Sequence, residues 1–383
     1  MNLIAQHGLF LHISGSELFS GRWNKSDGVP VVRVKVGSER LKSKEFGAQF
    51  VKNDDFGLKK PYWHTSCISS SHTGVSQMKK IVLAVFMVLF SYPLFAGGSG
   101  SSSKPLTGSY PIVLAHGILG FDDTQGLAGG LLKYWGGMDS YLRDQGVPVL
   151  TPGMTAMNDN VTRGNQLKTQ IQYWMAANGY SKVHLIGHSQ GGLTSRYMVT
   201  NLGMASKVST LTSLNSVHRG TPVADIGLAV IPSWLQPTVA VVLNAFGSLV
   251  YGKSQQDIIA MAKSLTTGGM AAFNTATPNV SGIKYYSYGS KMTIADPIQH
   301  PVMFLTYPIC WTGGVFNGQG GENDGVVPLS SQKWGTYNGG PSYGILVTGV
   351  DHLEATNLGN WGQKFYDVEG YFLKMASNAK ANQ

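Results

Sequence analysis

The sequence predicts an α/β fold, a mostly parallel central sheet flanked by helices. Three observations carry this. Residues 182–198, KVHLIGHSQGGLTSRYM, read as a short apolar run, a sharp turn and then apolar residues at helical spacing. Residues 110–115, YPIVLA, are a second apolar run of buried-strand length, and residues 211–214 read as a further strand; each runs into a loop. Strands alternating with helices in this way favour parallel pairing.

The chain has 383 residues, 43% hydrophobic and 13% charged, against roughly 25% charged in an average domain. That length holds one large α/β domain with a substantial core, or two small ones. The net charge of +9 is concentrated early: 12 Lys/Arg face 6 Asp/Glu up to Lys80, leaving 17 against 14 for the rest. No nucleic-acid function is read from it.

Residues 78–96 have the build of a secretory signal peptide. Lys79 and Lys80 precede an apolar run over 81–90, Ser91 and Pro93 break it, and cleavage is expected after Ala96. A membrane anchor is the other reading, but the run is about half the ~20 residues a span needs. A signal peptide is read at an N-terminus, so translation is expected to start at Met78, with residues 1–77 an upstream extension to which no fold is assigned. Residues 97–109, GGSGSSSKPLTGS, are expected to be a flexible linker. The folded domain is then 110–383. Of the two cysteines, Cys67 and Cys310, only Cys310 survives such cleavage, and it is read as a lone buried thiol.

The chemistry centres on Gly187-His188-Ser189-Gln190-Gly191. A serine at the apex of a strand-to-helix turn occupies a strained backbone conformation, and the residues two before and two after it must be nearly free of side chain. Gly187 and Gly191 meet that need. The loop after the first strand, His116-Gly117-Ile118-Leu119-Gly120, is placed to supply one oxyanion N–H from Ile118, and Gln190 the other. His116 is read as shaping this loop. An acid and a histidine should follow the serine in that order. Asp324, in the polar turn ENDGVVP beside an expected strand, and His352, just beyond another in VTGVDHL, fit best. His218 and His300 are the other histidines after the elbow helix, and His218 is the weaker choice because loops there shape sites.

HGILGFD at 116–122, GHSQGGLTSRY at 187–197, HRGTP at 218–222, NDGVVP at 323–328 and DHLEATN at 351–357 together resemble the secreted bacterial triacylglycerol lipases of the Pseudomonas, Burkholderia and Proteus type. The resemblance runs in order from about Tyr110 to Trp361. It implies an α/β-hydrolase fold with a helical lid, a catalytic triad of Ser189, Asp324 and His352, and a monomer acting on lipid esters at an oil–water interface. An esterase or phospholipase on the same scaffold is the alternative, and a non-catalytic lipid-binding relative a more distant one.

The resemblance also implies a structural Ca²⁺ that braces the histidine loop. By position its ligands are the carboxylates of Asp296 and Glu354 and the carbonyls of Leu358 and Gly362, all oxygen, as a hard cation requires. Glu354 stands where these lipases usually have aspartate. Many relatives carry a disulfide with one cysteine shortly after the NDG turn; here that neighbourhood is Leu329-Ser330-Ser331, so the bridge is absent. Some relatives need a dedicated foldase chaperone and those without the bridge do not, which leans this chain to the second group. Residues 220–272 hold long apolar segments with Pro232 and Pro237 and are read as the lid.

Overall fold

A computed structural model of the chain describes residues 104–123, 132–230 and 256–383 continuously, and ahead of them four short strands. The expected signal peptide (78–96), the first part of the linker and the centre of the lid (231–255) lie outside the described residues. The chain divides into two compact units, Met1–Ala84 and Val85–Gln383. In the first, β1 (Asn2–Ile4) pairs antiparallel with β2 (Phe10–His12), and β3 (Ser20–Trp23) with β4 (Pro30–Arg33).

The second unit is built on a six-stranded sheet: β5 (Ile112–Ala115), β6 (Val149–Leu150), β7 (Val183–His188), β8 (Val208–Leu214), β9 (Lys284–Tyr288) and β10 (Thr336–Tyr337). Their order is β10-β9-β8-β7-β5-β6, and every pair is parallel. The central strands β5, β7 and β8 are buried throughout, because helices cover both faces and each alternate side chain still meets a core. Ile112 and Leu114 enter one hydrophobic cluster with Trp135, Leu142 and Phe372; Val113 and Ala115 enter the other with Leu167, Ile171 and Met198. Helices α1 (Met138–Asp144) and α2 (Asn160–Asn178) follow the first strands, and α3 (Gln190–Asn201) follows β7 directly. The helices α4 (Pro222–Ala229), α5 (Ile258–Leu265) and α6 (Thr267–Ala276) flank the expected lid. After β9 come α7 (Tyr307–Phe316), α8 (Leu329–Gln332) and α9 (Val368–Ala381).

Two expectations are corrected. The end of the predicted linker is not loose: residues 104–109 form a turn whose Leu106 is fully buried in the core and donates its N–H to Gln145 O at 2.9 Å. An apolar side chain amid serines and glycines was enough to pin it. The loops bearing Asp324 and His352 do not adjoin regular strands. Asn323 and Gly349 each make an isolated bridge to Met292, and the apolar run after Asp324 leads into the short helix α8.

Several large apolar side chains remain on the surface over 294–316 and 345–346, among them Ile298, Leu305, Trp311, Phe316 and a fully exposed Ile345. Gln299 Nε2 donates to Leu346 O at 3.1 Å, which sets the two segments side by side.

Candidate active site

Ser189 stands between the end of β7 and the start of α3 with φ 54° and ψ −127°, a region a side-chain-bearing residue enters only when its surroundings impose it. Its N–H is held by Leu214 O at 2.9 Å on the neighbouring strand. The flanking glycines are required by contact. A Cβ on Gly191 would lie 2.0 Å from Ala115 O, and one on Gly187 would lie 2.6 Å from the Gly191 carbonyl carbon. The strand and helix approach too closely for any larger residue.

Asp324 and His352 meet as the sequence predicts, with His352 Nδ1 2.7 Å from Asp324 Oδ2. Both are buried. The turn fixes the acid: Asp324 Oδ1 accepts the N–H groups of Val326 at 3.0 Å and Val327 at 2.7 Å. Its Oδ2 also accepts from Asn215 Nδ2 at 2.8 Å, and His352 N–H donates to Asp324 O at 2.9 Å. The outward nitrogen of the ring, His352 Nε2, has no hydrogen-bond partner. This is the atom that would face a serine hydroxyl.

Sequence reasoning missed the residues that tie the serine turn to the histidine loop. His188 precedes Ser189, and its ring centroid lies 4.6 Å from that of His352. His188 Nε2 is 3.0 Å from His352 O; a carbonyl only accepts, so Nε2 carries the proton and Nδ1 is the acceptor. Tyr134 Oη therefore donates to His188 Nδ1 across 2.6 Å while accepting Gly117 N–H at 2.9 Å. One chain of bonds joins the Gly117 loop, the turn and the histidine loop. Burial, then the nearness of His352, pulls the His188 imidazole well below its ordinary range and keeps it neutral.

The Gly117 loop is close to the serine: a Cβ on Gly117 would come within 2.6 Å of Ser189 Cβ. Arg163, fully buried on α2, braces this loop by donating to His116 O at 2.6 Å, to Gly117 O at 3.1 Å and to Thr155 O. Burial lowers its guanidinium to about 10, so it stays charged at neutral pH. Its signal in the sequence was position: it shares the inward stripe of α2 with Leu167 and Ile171. Ile118, next to Gly117, is half-buried against the cluster of Leu193 and Val217. Gln190 opens α3, and its side chain donates to Asn158 O at 2.8 Å.

His116, His218 and His184 are structural. His116 Nε2 accepts Met154 N–H at 2.9 Å, and His218 is stacked on Trp334 with its Nε2 2.9 Å from Ser213 Oγ. His184 lies within β7 against Thr210.

Each of the four residues expected to hold calcium has a hydrogen-bond partner of its own. Asp296 Oδ1 caps its own turn through Ile298 N–H at 2.8 Å, and its Oδ2 lies 3.3 Å from Thr348 Oγ1. Thr348 Oγ1 in turn lies on the Nε2 side of His300, at 3.2 Å. Glu354 sits at the other nitrogen, with Oε1 3.2 Å from His300 Nδ1. The imidazole thus stands between the two carboxylates. The carbonyls of Leu358 and Gly362 accept the N–H groups of Trp361 at 3.1 Å and Phe365 at 3.0 Å.

Comparison with known proteins gives the fold and the family. The family model of the alpha/beta hydrolase fold matches residues 110–258. A triacylglycerol lipase of Vibrio cholerae is 34% identical over 281 residues, covering 67% of this chain and 86% of the relative. The chain belongs to the triacylglycerol lipase family. Other members share similar identity with this lipase: that of Pseudomonas fragi is 32% identical over 59% of the chain and 82% of the relative, and that of Burkholderia plantarii 35% over 59% and 74%. Among solved structures, the Staphylococcus hyicus lipase shares the fold with TM-score 0.53, 20% identity, and coverage of 75% of this chain and 98% of that one. The lipase is an enzyme of ester hydrolysis, and among its described residues no helix is long and apolar enough to cross a membrane.

Proposed function

We propose that the lipase is a secreted serine hydrolase that cleaves long-chain acyl esters of glycerol through an acyl-enzyme on Ser189. The observation that carries the reading is the strained Ser189 backbone at the end of β7 together with the Asp324–His352 pair, whose Nε2 is unengaged. The relatives named as triacylglycerol lipases support the substrate class.

His352 Nε2 takes the Ser189 hydroxyl proton as Oγ attacks the ester carbonyl carbon. Asp324 holds the ring with Nδ1–H inward and stabilises the imidazolium. The N–H groups of Ile118 and Gln190 receive the oxyanion, each worth roughly 3–4 kcal/mol in the transition state. Collapse breaks the ester C–O bond, and His352 returns its proton to the departing glycerol oxygen. Water, deprotonated by the same nitrogen, then attacks the acyl-enzyme and frees the fatty acid and Ser189. The open Nε2 fits the substrate-free state, since such contacts tighten once substrate is bound.

Export rests on the leader at 78–96, and N-terminal sequencing of the native protein is expected to find a residue after Ala96. The apolar stretch centred on 239–249 serves as the lid; deleting it is expected to abolish activity on emulsions while sparing short soluble esters. The deciding experiment is hydrolysis of a chain-length series of p-nitrophenyl esters and emulsified triolein by wild type and Ser189→Ala. Long-chain activity lost in the variant is the expected result. Activity confined to short soluble esters would make the chain an esterase, and activity retained by Ser189→Ala would remove the serine mechanism.

A further inference from the structure

Three buried side chains beside the histidine loop converge on a single point. His300 Nδ1 lies 3.2 Å from Glu354 Oε1 and 3.5 Å from Asp351 Oδ2. All three residues are at least 97% buried, and the three donor atoms lie within 4.8 Å of one another. His300 Nδ1 and Glu354 Oε1 have no hydrogen-bond partner. They face each other at a distance that would suit a hydrogen bond but without its alignment.

That misalignment has a geometric meaning. A ring N–H needs its acceptor along the nitrogen's axis, whereas ligands sharing an ion sit to the side of that axis, with the ion on it. For Zn²⁺ with N and O ligands at ~2.0–2.2 Å, tetrahedral neighbours are separated by about 3.3–3.5 Å. The two separations, 3.2 and 3.5 Å, lie close to that range.

The other atom of each side chain is already held. His300 Nε2 lies 3.3 Å from Thr348 O, and a neutral ring that donates to this carbonyl turns its Nδ1 lone pair inward. Asp351 Oδ1 accepts the N–H groups of Leu353 and Glu354, each at 2.8 Å, and Glu354 Oε2 accepts Asp351 N–H at 2.8 Å. Outer contacts of this kind orient metal ligands.

Charge argues the same way. Two buried carboxylates with one imidazolium leave a net negative charge, while two carboxylates, a neutral imidazole and a divalent ion balance.

We propose that His300 Nδ1, Asp351 Oδ2 and Glu354 Oε1 form a site for a divalent transition metal of the zinc class, which clamps the loop carrying His352. An imidazole ligand suits zinc and disfavours calcium. Because His352 lies between Asp351 and Glu354 in the chain, the ion would fix the loop on both sides of the base without touching it.

The test uses the purified full chain, stripped with a chelator and returned to metal-free buffer. Adding zinc at about a hundredfold excess over Kd is expected to raise Tm by about 5 °C, with one zinc retained per chain, and Co²⁺ is expected to give the visible absorption of a low-coordinate site. His300→Gln is expected to lose both responses, and Asp296→Asn to keep them. The proposal is overturned if zinc leaves the Tm of wild type unchanged, which would make the cluster an ion pair. It is equally overturned if the response persists in His300→Gln, or if CaCl₂ gives it and Asp296→Asn removes it. Should His300→Gln fail to fold, the zinc stoichiometry and Co²⁺ spectrum of wild type decide alone.

Discussion

Ser189 pays in backbone strain for its place at the apex, a cost of about 1–3 kcal/mol for a residue in this region. Ser189→Gly is therefore expected to lose hydrolysis on the order of 10⁴-fold or more yet to resist urea better than wild type by about 1 kcal/mol. Equal or lower stability would mean that the turn is not strained. Asp324 offers a sharper test. In Asp324→Asn the bond to His352 can be kept with the ring in the wrong tautomer, and kcat is expected to fall about 10⁴-fold with KM little changed. Tyr134→Phe removes the hydroxyl linking Gly117 N–H to His188 Nδ1. It is expected to reduce kcat about tenfold through misplacement of the oxyanion loop, a change of about 1.4 kcal/mol, while acylation of Ser189 by a fluorophosphonate continues.

At the scale of elements, the tight contact of β5, β7 and α3 makes the turn intolerant of a single methyl group. Gly191→Ala would put carbon 2.0 Å from Ala115 O; the helix must shift, and soluble yield and Tm are both expected to fall, by about 1–3 kcal/mol of stability. The same elements explain what could be read in advance. β5 is an unbroken apolar run because both faces are covered, so its burial was written in composition alone, whereas β7 and β8 also bury His184, Thr210 and Thr212, which composition does not announce. The Asp324–His352 pairing was legible because each lies in a short polar motif whose order along the chain suits the chemistry. Asn215, Tyr134 and Arg163 were not, since each acts through contacts 17 to 109 positions away. The place of His300 was hidden for a related reason. Nothing near Asp296 or Glu354 in sequence announces that the ring of His300 folds between them.

Over the whole molecule, buried histidines set the response to acid. Burial lowers His184 to about 4, and His188 and His218 well below their usual range. With folded values below unfolded ones, the unfolded chain binds protons first, so stability present above pH 6.5 is lost as pH falls toward 4. His184 alone contributes about 3 kcal/mol to that loss. Asp123 and Glu354, raised by burial to about 6 and about 7, work in the opposite direction over part of the window, but two carboxyls face three imidazoles. Urea midpoints are expected to fall between pH 7 and pH 5, and less steeply in His184→Gln; a flat profile would refute the assignment. The exposed apolar rim over 294–316 and 345–346 has a different kind of consequence. A molecule that leaves Phe316 and Ile345 bare loses less free energy in bulk water than it does by adsorbing wherever water ends. Its working dose is then set by square metres of droplet rather than by moles of protein. At fixed oil volume, finer dispersion is expected to raise the rate, and added lipase to stop raising it once the droplets are coated.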